Sequence, residues 1–207
     1  MSRFGSAPKL PPKAPRRPLK TEILWGCEKG GSPRFPSDCE TISTRRRSPN
    51  PRPLDAFRDA VKNAAERIWV VDEYFLVSDK GVSSDGRILT ILDWLHDDLV
   101  ASDIRILTKQ HDEVTEDELE LFKDQAEMIN LKRSRQPVKC SIQINTRLKQ
   151  KFDYIHDRFA IVDDELWHFG ATVGGFHSSV NAASRGWDAE ELGAIKFFEM
   201  VWDKCKK

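Results

Sequence analysis

The chain has 207 residues and no net formal charge at neutral pH, with 39% hydrophobic and 32% charged residues. This composition is typical of a folded globular protein, and the longest apolar runs are far too short to cross a bilayer. The basic N-terminus is not followed by an apolar segment, so no secretory signal is expected. Four scattered cysteines without a CxxC pair argue against a disulfide framework or a structural zinc site and favour the reducing cytoplasm.

The N-terminal segment, residues 1–53, is rich in proline and arginine and is expected to be a disordered basic tail or linker. It carries 12 Lys and Arg against 4 Asp and Glu, whereas residues 54–207 carry 21 against 29. Such an arm can contact nucleic acid or an anionic membrane surface, or fold back on its own acidic domain. Ile23-Leu24-Trp25 is its one apolar island, which is expected to dock on the domain or on a partner.

From Leu54 onward, regular apolar periodicity predicts one domain, residues 54–207, of alternating helices and strands. Thr115 and Glu118 have the spacing of a capping box. In chain order the predicted elements are a helix over residues 54–67, a strand over 68–71, a helix over 88–99, a strand over 104–107, a helix over 115–132, strands over 138–144, 158–162, 166–169 and 192–197, and a helix over 198–206. This order implies an α/β fold with a mixed, mostly parallel sheet flanked by helices.

His156 and Arg158 stand two residues apart where the strand over 158–162 begins. Alternate side chains of a strand share a face, so the imidazole and the guanidinium are expected to project together. A histidine can attack phosphorus while an arginine holds the phosphoryl oxygens, so the pair suits a phosphodiester and needs no metal ion. The structural alternative for Arg158 is an ion pair with Asp157 or Asp163. Asp163, at the strand end, fits a supporting carboxylate better than a partner in the attack.

Four positions together resemble the motif H-x-K-x4-D-x6-G-[ST]-x-N of the phospholipase D superfamily. They are His156, Arg158, Asp163 and Gly170, each at the family's spacing. The segment that begins at Glu191 and the terminal helix also resemble parts of the family, so the resemblance covers about residues 54–207.

The resemblance is to a divergent branch, because three positions depart from the pattern. Arg158 replaces the lysine, which keeps the charge and changes the geometry. Ala171 and Val173 stand where the family has a small hydroxyl residue and an asparagine. Thr172, between them, is a candidate for supplying one hydroxyl.

The resemblance implies a half-site that a homodimer completes, since the chain carries a single motif. In small dimeric nucleases of this family, two copies of the motif meet on a twofold axis. His156 would form a phosphohistidine, and the partner subunit's His156 would protonate the leaving oxygen. Arg158 would hold phosphoryl oxygens and Glu191 would orient a histidine, while Asp163, Gly170 and Thr172 would support the phosphate site. No metal and no cofactor are implied.

The function favoured by the sequence is therefore that of a metal-independent nuclease, a phosphodiesterase whose basic arm helps to bind nucleic acid. One alternative is a catalytically weak or inactive binding module in a prokaryotic mobile-element or defence system, for which Ala171 and Val173 argue. A lipid phosphodiesterase is the less favoured alternative, because no amphipathic lipid-binding helix or membrane insertion is predicted.

Overall fold

The computed structural model describes residues 19–25, 32–47, 54–79, 82–133, 138–175 and 181–207. The helices and strands within these ranges are β1 (Glu22–Trp25), α1 (Cys39–Arg47), α2 (Asp55–Lys62), β2 (Arg67–Val71), α3 (Ser84–Trp94), β3 (Asp103–Leu107), α4 (Glu116–Lys132), β4 (Ser141–Asn145), α5 (Leu148–Lys151), β5 (Phe159–Val162), β6 (Glu165–Phe169), β7 (Ala182–Asp188) and α6 (Ala194–Lys206).

In the described part of the chain, seven strands form one mixed sheet in the order β1-β7-β6-β5-β2-β3-β4. The pairs β2-β3 and β3-β4 are parallel, as expected for strands joined through helices. The other four neighbouring pairs are antiparallel. The predicted α/β class with a mixed sheet is confirmed, but the prediction of a mostly parallel sheet is wrong, because β5 and β6 form a hairpin and β7 and β1 extend the sheet antiparallel to it.

Helices cover both faces of the sheet and bury a core on each. On one face α2, α3 and α4 contribute apolar side chains such as Phe57, Ile88 and Phe122. On the other face, the indole of Trp69 stacks on Phe198 of α6 with ring centroids 4.7 Å apart. No helix in the described ranges combines the length and the apolar character that a bilayer span requires.

The helix α4 begins as the sequence predicts. The Thr115 side chain accepts a hydrogen bond from the backbone N–H of Glu118, and the Glu118 carboxylate accepts one from the backbone N–H of Thr115. This reciprocal cap satisfies two N–H groups that have no partner within the helix.

The end of the chain differs from the prediction. Residues 192–197 do not form a strand, since α6 begins at Ala194 and buries Phe198, Val201 and Trp202 at helical spacing. The last strand is instead β7, which the sequence analysis missed. Most residues of its sequence, AASRGWD, are small or polar, so the segment lacks the alternation of apolar and polar residues that identifies a strand.

Part of the predicted tail is ordered against the domain. β1 pairs antiparallel with β7, with Ile23 opposite Ser184, and Leu24 is buried in the core. β1 and α1 therefore form regular structure within the predicted tail, and the apolar island forms the edge strand of the sheet. Residues 1–18, 26–31 and 48–53, with most of the proline runs, lie outside the described residues.

Candidate active site

The candidate site lies at one end of the central strands, where β2 and β3 end and β5 begins. β2 and β3 are parallel and β5 is antiparallel to β2, so the ends of the first two strands meet the start of the third. Asp72 and Glu73 directly follow β2, Lys109 follows β3, and Arg158 directly precedes β5. The sheet order therefore brings together residues that are far apart in the sequence.

His156 is held by a buried carboxylate. Its Nδ1 lies 3.3 Å from Oε1 of Glu73, and the Glu73 side chain is 4% exposed whereas that of His156 is 71% exposed. If Nδ1 carries the proton and donates to Glu73, Nε2 keeps its lone pair for a substrate. A carboxylate that fixes one ring nitrogen in this way is the arrangement that supports histidine as a nucleophile or a general base.

Two lysines approach the same carboxylate from other elements. The Nζ atoms of Lys109 and Lys149 lie 3.9 Å and 3.5 Å from Oε2 of Glu73. Lys109 also places its ammonium 3.6 Å from the centre of the Tyr74 ring, a cation–π contact. Neither lysine nor Glu73 was predicted from the sequence, although Lys109 and Glu73 each stand just after a predicted strand.

Arg158 has a different carboxylate partner from those considered in the sequence. Its Nε lies 3.7 Å from Oδ1 of Asp72, and its guanidinium lies 5.1 Å from the centre of the Tyr74 ring. The partner considered from the sequence was Asp157 or Asp163, whereas the carboxylate beside Arg158 is the one that follows β2. The Tyr74 ring thus contacts both Arg158 and Lys109. Lys109 in turn contacts Glu73, the carboxylate that contacts His156.

Asp72 is fully buried beneath Arg158. Its two carboxylate oxygens accept hydrogen bonds from the backbone N–H groups of Tyr74 and Val173, each at 2.8 Å. Burial raises the pKa of Asp72 to about 6, although these two hydrogen bonds and the nearby Arg158 and Arg87 act to lower it. The ion pair of Asp72 with Arg158 is therefore expected to weaken as the pH falls through about 6.

Thr172 meets Arg158 at a cavity of about 280 Å³. The cavity is lined by Tyr74, Ser78, Asp79, Arg87, Arg158 and Thr172. Thr172 is 1% exposed, as is Arg87, whose Nη1 donates to the carbonyl oxygen of Tyr74. The structure thus places Thr172 beside the predicted phosphate-holding cation.

Gly170 shapes the turn that follows β6. Its N–H donates to the carbonyl oxygen of Ala182 at 2.9 Å, and a Cβ at this position would lie 3.2 Å from the same oxygen. The close approach directs residues 171–175 back toward the site, where the Val173 backbone reaches Asp72. Ala171 and Val173 are buried, 6% and 0% exposed, so their side chains fill the core and offer no polar group.

Asp163 lies at the far end of the sheet from His156. It occupies the turn between β5 and β6 with a φ of 54°, a left-handed conformation that aspartate tolerates. Its carboxylate accepts hydrogen bonds from the backbone N–H groups of Ala65, Glu66 and Arg67, at the start of β2. Its contacts are therefore structural.

Glu191 lies at the same far end. Asp188, the last residue of β7, pairs with Glu165 at the closed end of the β5–β6 hairpin, and the backbone N–H of Glu191 donates to the Asp188 side chain. His156 precedes the opposite end of β5. The structure therefore does not bring Glu191 to His156, and the carboxylate that contacts the imidazole is that of Glu73.

A second histidine lies near the motif on the surface. Nε2 of His168, in β6, contacts Oδ1 of Asp157, and both side chains are substantially exposed. This pair involves the residue between His156 and Arg158, which places His168 beside the site without a contact to the buried carboxylates.

One group of side chains in the described residues has the spacing of metal ligands, namely His96, Asp97 and Asp98. It follows α3, at the end of the sheet where β3 begins, and Nζ of Lys132 lies 2.7 Å from Asp97 and 3.4 Å from Asp98. The Lys132 ammonium therefore already pairs with both carboxylates. Among the cysteines, Cys140 and Cys205 are buried free thiols and Cys39 is an exposed one, while Cys27 lies outside the described residues.

No protein-family model matches the chain, and no curated protein matches its sequence. Among solved structures, NucT from Helicobacter pylori is 9% identical, with a TM-score of 0.44 over 90% of this chain and 97% of that chain. TrmBL2, an archaeal chromatin protein whose structure shows a novel mode of DNA binding, is 12% identical, with a TM-score of 0.38 over 89% of this chain. This chain spans 53% of the TrmBL2 chain. Both likenesses are remote.

Proposed function

We propose that the protein is a metal-independent phosphodiesterase that cleaves nucleic acid with His156 as its nucleophile. The observation that carries this proposal is the contact between the exposed imidazole of His156 and the buried carboxylate of Glu73. A histidine that is only a solvent-exposed surface residue does not require a buried carboxylate that contacts one of its ring nitrogens. Here the acid leaves Nε2 accessible and supports the positive charge that the ring acquires during attack.

The chemical step follows from this geometry. Nε2 of His156 bonds to phosphorus while the bond from phosphorus to the leaving oxygen breaks, and a second histidine donates a proton to that oxygen. The second histidine then removes a proton from water, which attacks phosphorus and releases His156. Arg158, with Lys109 and Lys149 close by, stabilises the negative charge on the phosphoryl oxygens, so the step requires no metal ion.

The second histidine is proposed to be the partner subunit's His156. The imidazole of His156 is 71% exposed, and so remains available to a second copy. In a homodimer with twofold symmetry, a residue beside the axis meets its own copy, which completes a site that carries one motif per chain.

The surroundings of His156 support nucleic acid as the substrate. Leu148 is buried against the second core, and Phe152 and Ile155 pack on that core, so the segment that contains α5 is anchored. The same segment leaves Lys149, Lys151 and the Tyr154 ring exposed. Basic side chains bind a phosphate backbone and an exposed aromatic ring can stack on a base, so this surface is suited to a nucleic-acid strand.

Cleavage assays with matched histidine variants test the proposal. The wild-type protein is expected to cleave DNA or RNA in the presence of EDTA, and His156→Ala is expected to lower kcat at least about a thousand-fold. His168→Ala is the control, since His168 is also exposed and also contacts a carboxylate. Turnover that requires an added metal, or an equal loss in both variants, contradicts the mechanism.

Mixing experiments test the shared site. When an excess of His156→Ala protein is allowed to exchange subunits with the wild type, activity per wild-type chain is expected to fall, because mixed dimers carry one histidine. Sedimentation of the same samples reports the dimer. A monomer with full activity contradicts the homodimer proposal.

A second candidate is a nucleic-acid-binding module without turnover, which the burial of Ala171 and Val173 favours because neither can donate to phosphate. Binding of nucleic acid that persists in His156→Ala, together with no cleavage by the wild type, would support this second candidate. The contribution of the basic arm is measured by deleting residues 1–18, which is expected to weaken binding and reduce its dependence on salt. A longer deletion removes β1 and alters the domain itself.

A further inference from the structure

The cavity beside Arg158 is lined by both buried and exposed residues. Arg87 and Thr172, each 1% exposed, belong to its buried lining. Tyr74 and Ser78 belong to its exposed lining. Its volume of about 280 Å³ is close to the lower limit of roughly 300 Å³ for pockets that hold drug-sized ligands. It therefore admits one small group and excludes a nucleic-acid duplex.

The charges around this cavity are balanced, which separates it from a simple anion site. The basic residues Arg87 and Arg158 line it, and so does the acidic residue Asp79. Asp72 lies behind the two arginines, with its oxygens turned to the backbone N–H groups of Tyr74 and Val173. A phosphate in the cavity would gain from the arginines and be repelled by Asp79. A neutral group with both donors and acceptors matches the lining better.

We propose that this cavity is a base-binding subsite and that its chemistry selects guanine, an inference that rests on the proposed nuclease function. Guanine offers O6 and N7 as acceptors to a guanidinium group. Its N1–H and exocyclic amine are two adjacent donors, which a single carboxylate can accept. Among the four common bases of RNA or DNA, guanine alone has this pair of donors, so Asp79 is the residue that sets the preference.

Arg158 connects the subsite to the chemistry, because it both lines the cavity and belongs to the motif of His156. The bound guanine is therefore that of the nucleotide beside the cleaved phosphate. A base inside a duplex cannot reach a cavity of this size without leaving its stack, which costs a few kcal/mol. The preferred substrate is thus single-stranded nucleic acid with guanine next to the cleaved bond.

Calorimetric titration of the full-length wild-type chain with nucleoside monophosphates tests the subsite without requiring turnover. Guanosine 5′-monophosphate is expected to bind at least about ten-fold more tightly than the adenosine, cytidine and uridine monophosphates. Asp79→Asn is expected to abolish this preference, since the amide turns one acceptor oxygen and one donor NH₂ group toward the two adjacent donors of guanine. The exposed Asp124→Asn in α4 is the matched control and is expected to preserve it.

Cleavage of single-stranded oligonucleotides that contain one guanine, followed by mapping of the cut site, supplies the second measurement. Selective binding of the guanine nucleotide without turnover supports the subsite and removes the nuclease function. Turnover without base preference, with equal binding of all four monophosphates, supports the nuclease function and overturns the subsite. Competition by inorganic phosphate as strong as that by the guanine nucleotide also overturns it, because the cavity is then an anion site.

Discussion

Glu73 and His156, separated by 83 positions in the sequence, meet at the edge of the sheet with Oε1 3.3 Å from Nδ1. The other oxygen of the same carboxylate faces Lys109 and Lys149. One buried acid therefore orients the histidine and gathers two cations beside it. This is the positioning role that the sequence analysis gave to Glu191.

Glu73→Gln is expected to lower kcat by roughly 10²- to 10⁴-fold, because an amide neither fixes the Nδ1–H form of His156 nor balances a charged ring. The pH–rate profile is expected to shift as well, which a purely structural role would not produce. Glu191→Gln is the matched control and is expected to leave both measurements unchanged. A larger effect of Glu191→Gln than of Glu73→Gln contradicts the assignment.

The local parts of this site were predictable and the long-range parts were not. His156, Arg158 and Gly170 are recognisable because the motif lies within 15 consecutive residues. The strands that precede Asp72 and Lys109 were also predicted. Which strand lies beside β5 depends on the order of the sheet, and a strand made mostly of small and polar residues, such as β7, gives no periodic signal. The partners of the histidine therefore required the structure.

Arg158→Lys is expected to lower kcat/KM about ten-fold and Arg158→Met at least about a hundred-fold. Lysine keeps the charge but loses the planar fork that reaches both Asp72 and a phosphoryl oxygen, and methionine loses the charge too. Arg105→Lys is the control, because Arg105 also pairs with an aspartate and lies over an aromatic ring, away from the site. Equal activity of all three variants contradicts a role for Arg158 in charge stabilisation.

The buried Asp72 makes stability depend on pH. Its pKa rises to about 6 in the folded protein from 3.8, so the folded state holds this proton more tightly than the unfolded chain does. The stabilisation of the folded state by protonated Asp72 is fully present below pH 4 and is lost as the pH rises through about 6. Between pH 4 and pH 7.5, the free energy of unfolding of the wild type is expected to fall by up to about 3 kcal/mol relative to Asp72→Asn. Urea denaturation of both proteins across this pH range measures the difference in the free energy of unfolding. Parallel pH profiles of the two proteins contradict the prediction.

Asp163→Ala is expected to lower the free energy of unfolding by about 1–3 kcal/mol and to leave kcat unchanged. The carboxylate holds three backbone N–H groups at the start of β2, far from His156, and alanine also fits the left-handed φ of 54° poorly. Asp163→Asn keeps an acceptor and the backbone tolerance, so an intermediate loss is expected. A fall in kcat with unchanged stability would instead place Asp163 in the chemistry.

Gly186→Ala is expected to detach β1 from the sheet. At its φ of 92°, a Cβ would lie 2.0 Å from the carbonyl oxygen of Lys20, so the backbone before β1 cannot keep its position. The variant is expected to be cleaved faster by trypsin after Lys20 and to be less stable to urea.

Gly193→Ala is the control that separates this clash from the cost of the backbone conformation. Gly193 also has a positive φ, of 72°, but a Cβ there would meet no described atom within 4 Å. That variant is expected to lose about 1 kcal/mol of stability and to keep Lys20 protected. If both variants expose Lys20 equally, the close packing of residues 19–25 on β7 is not what holds the segment in place.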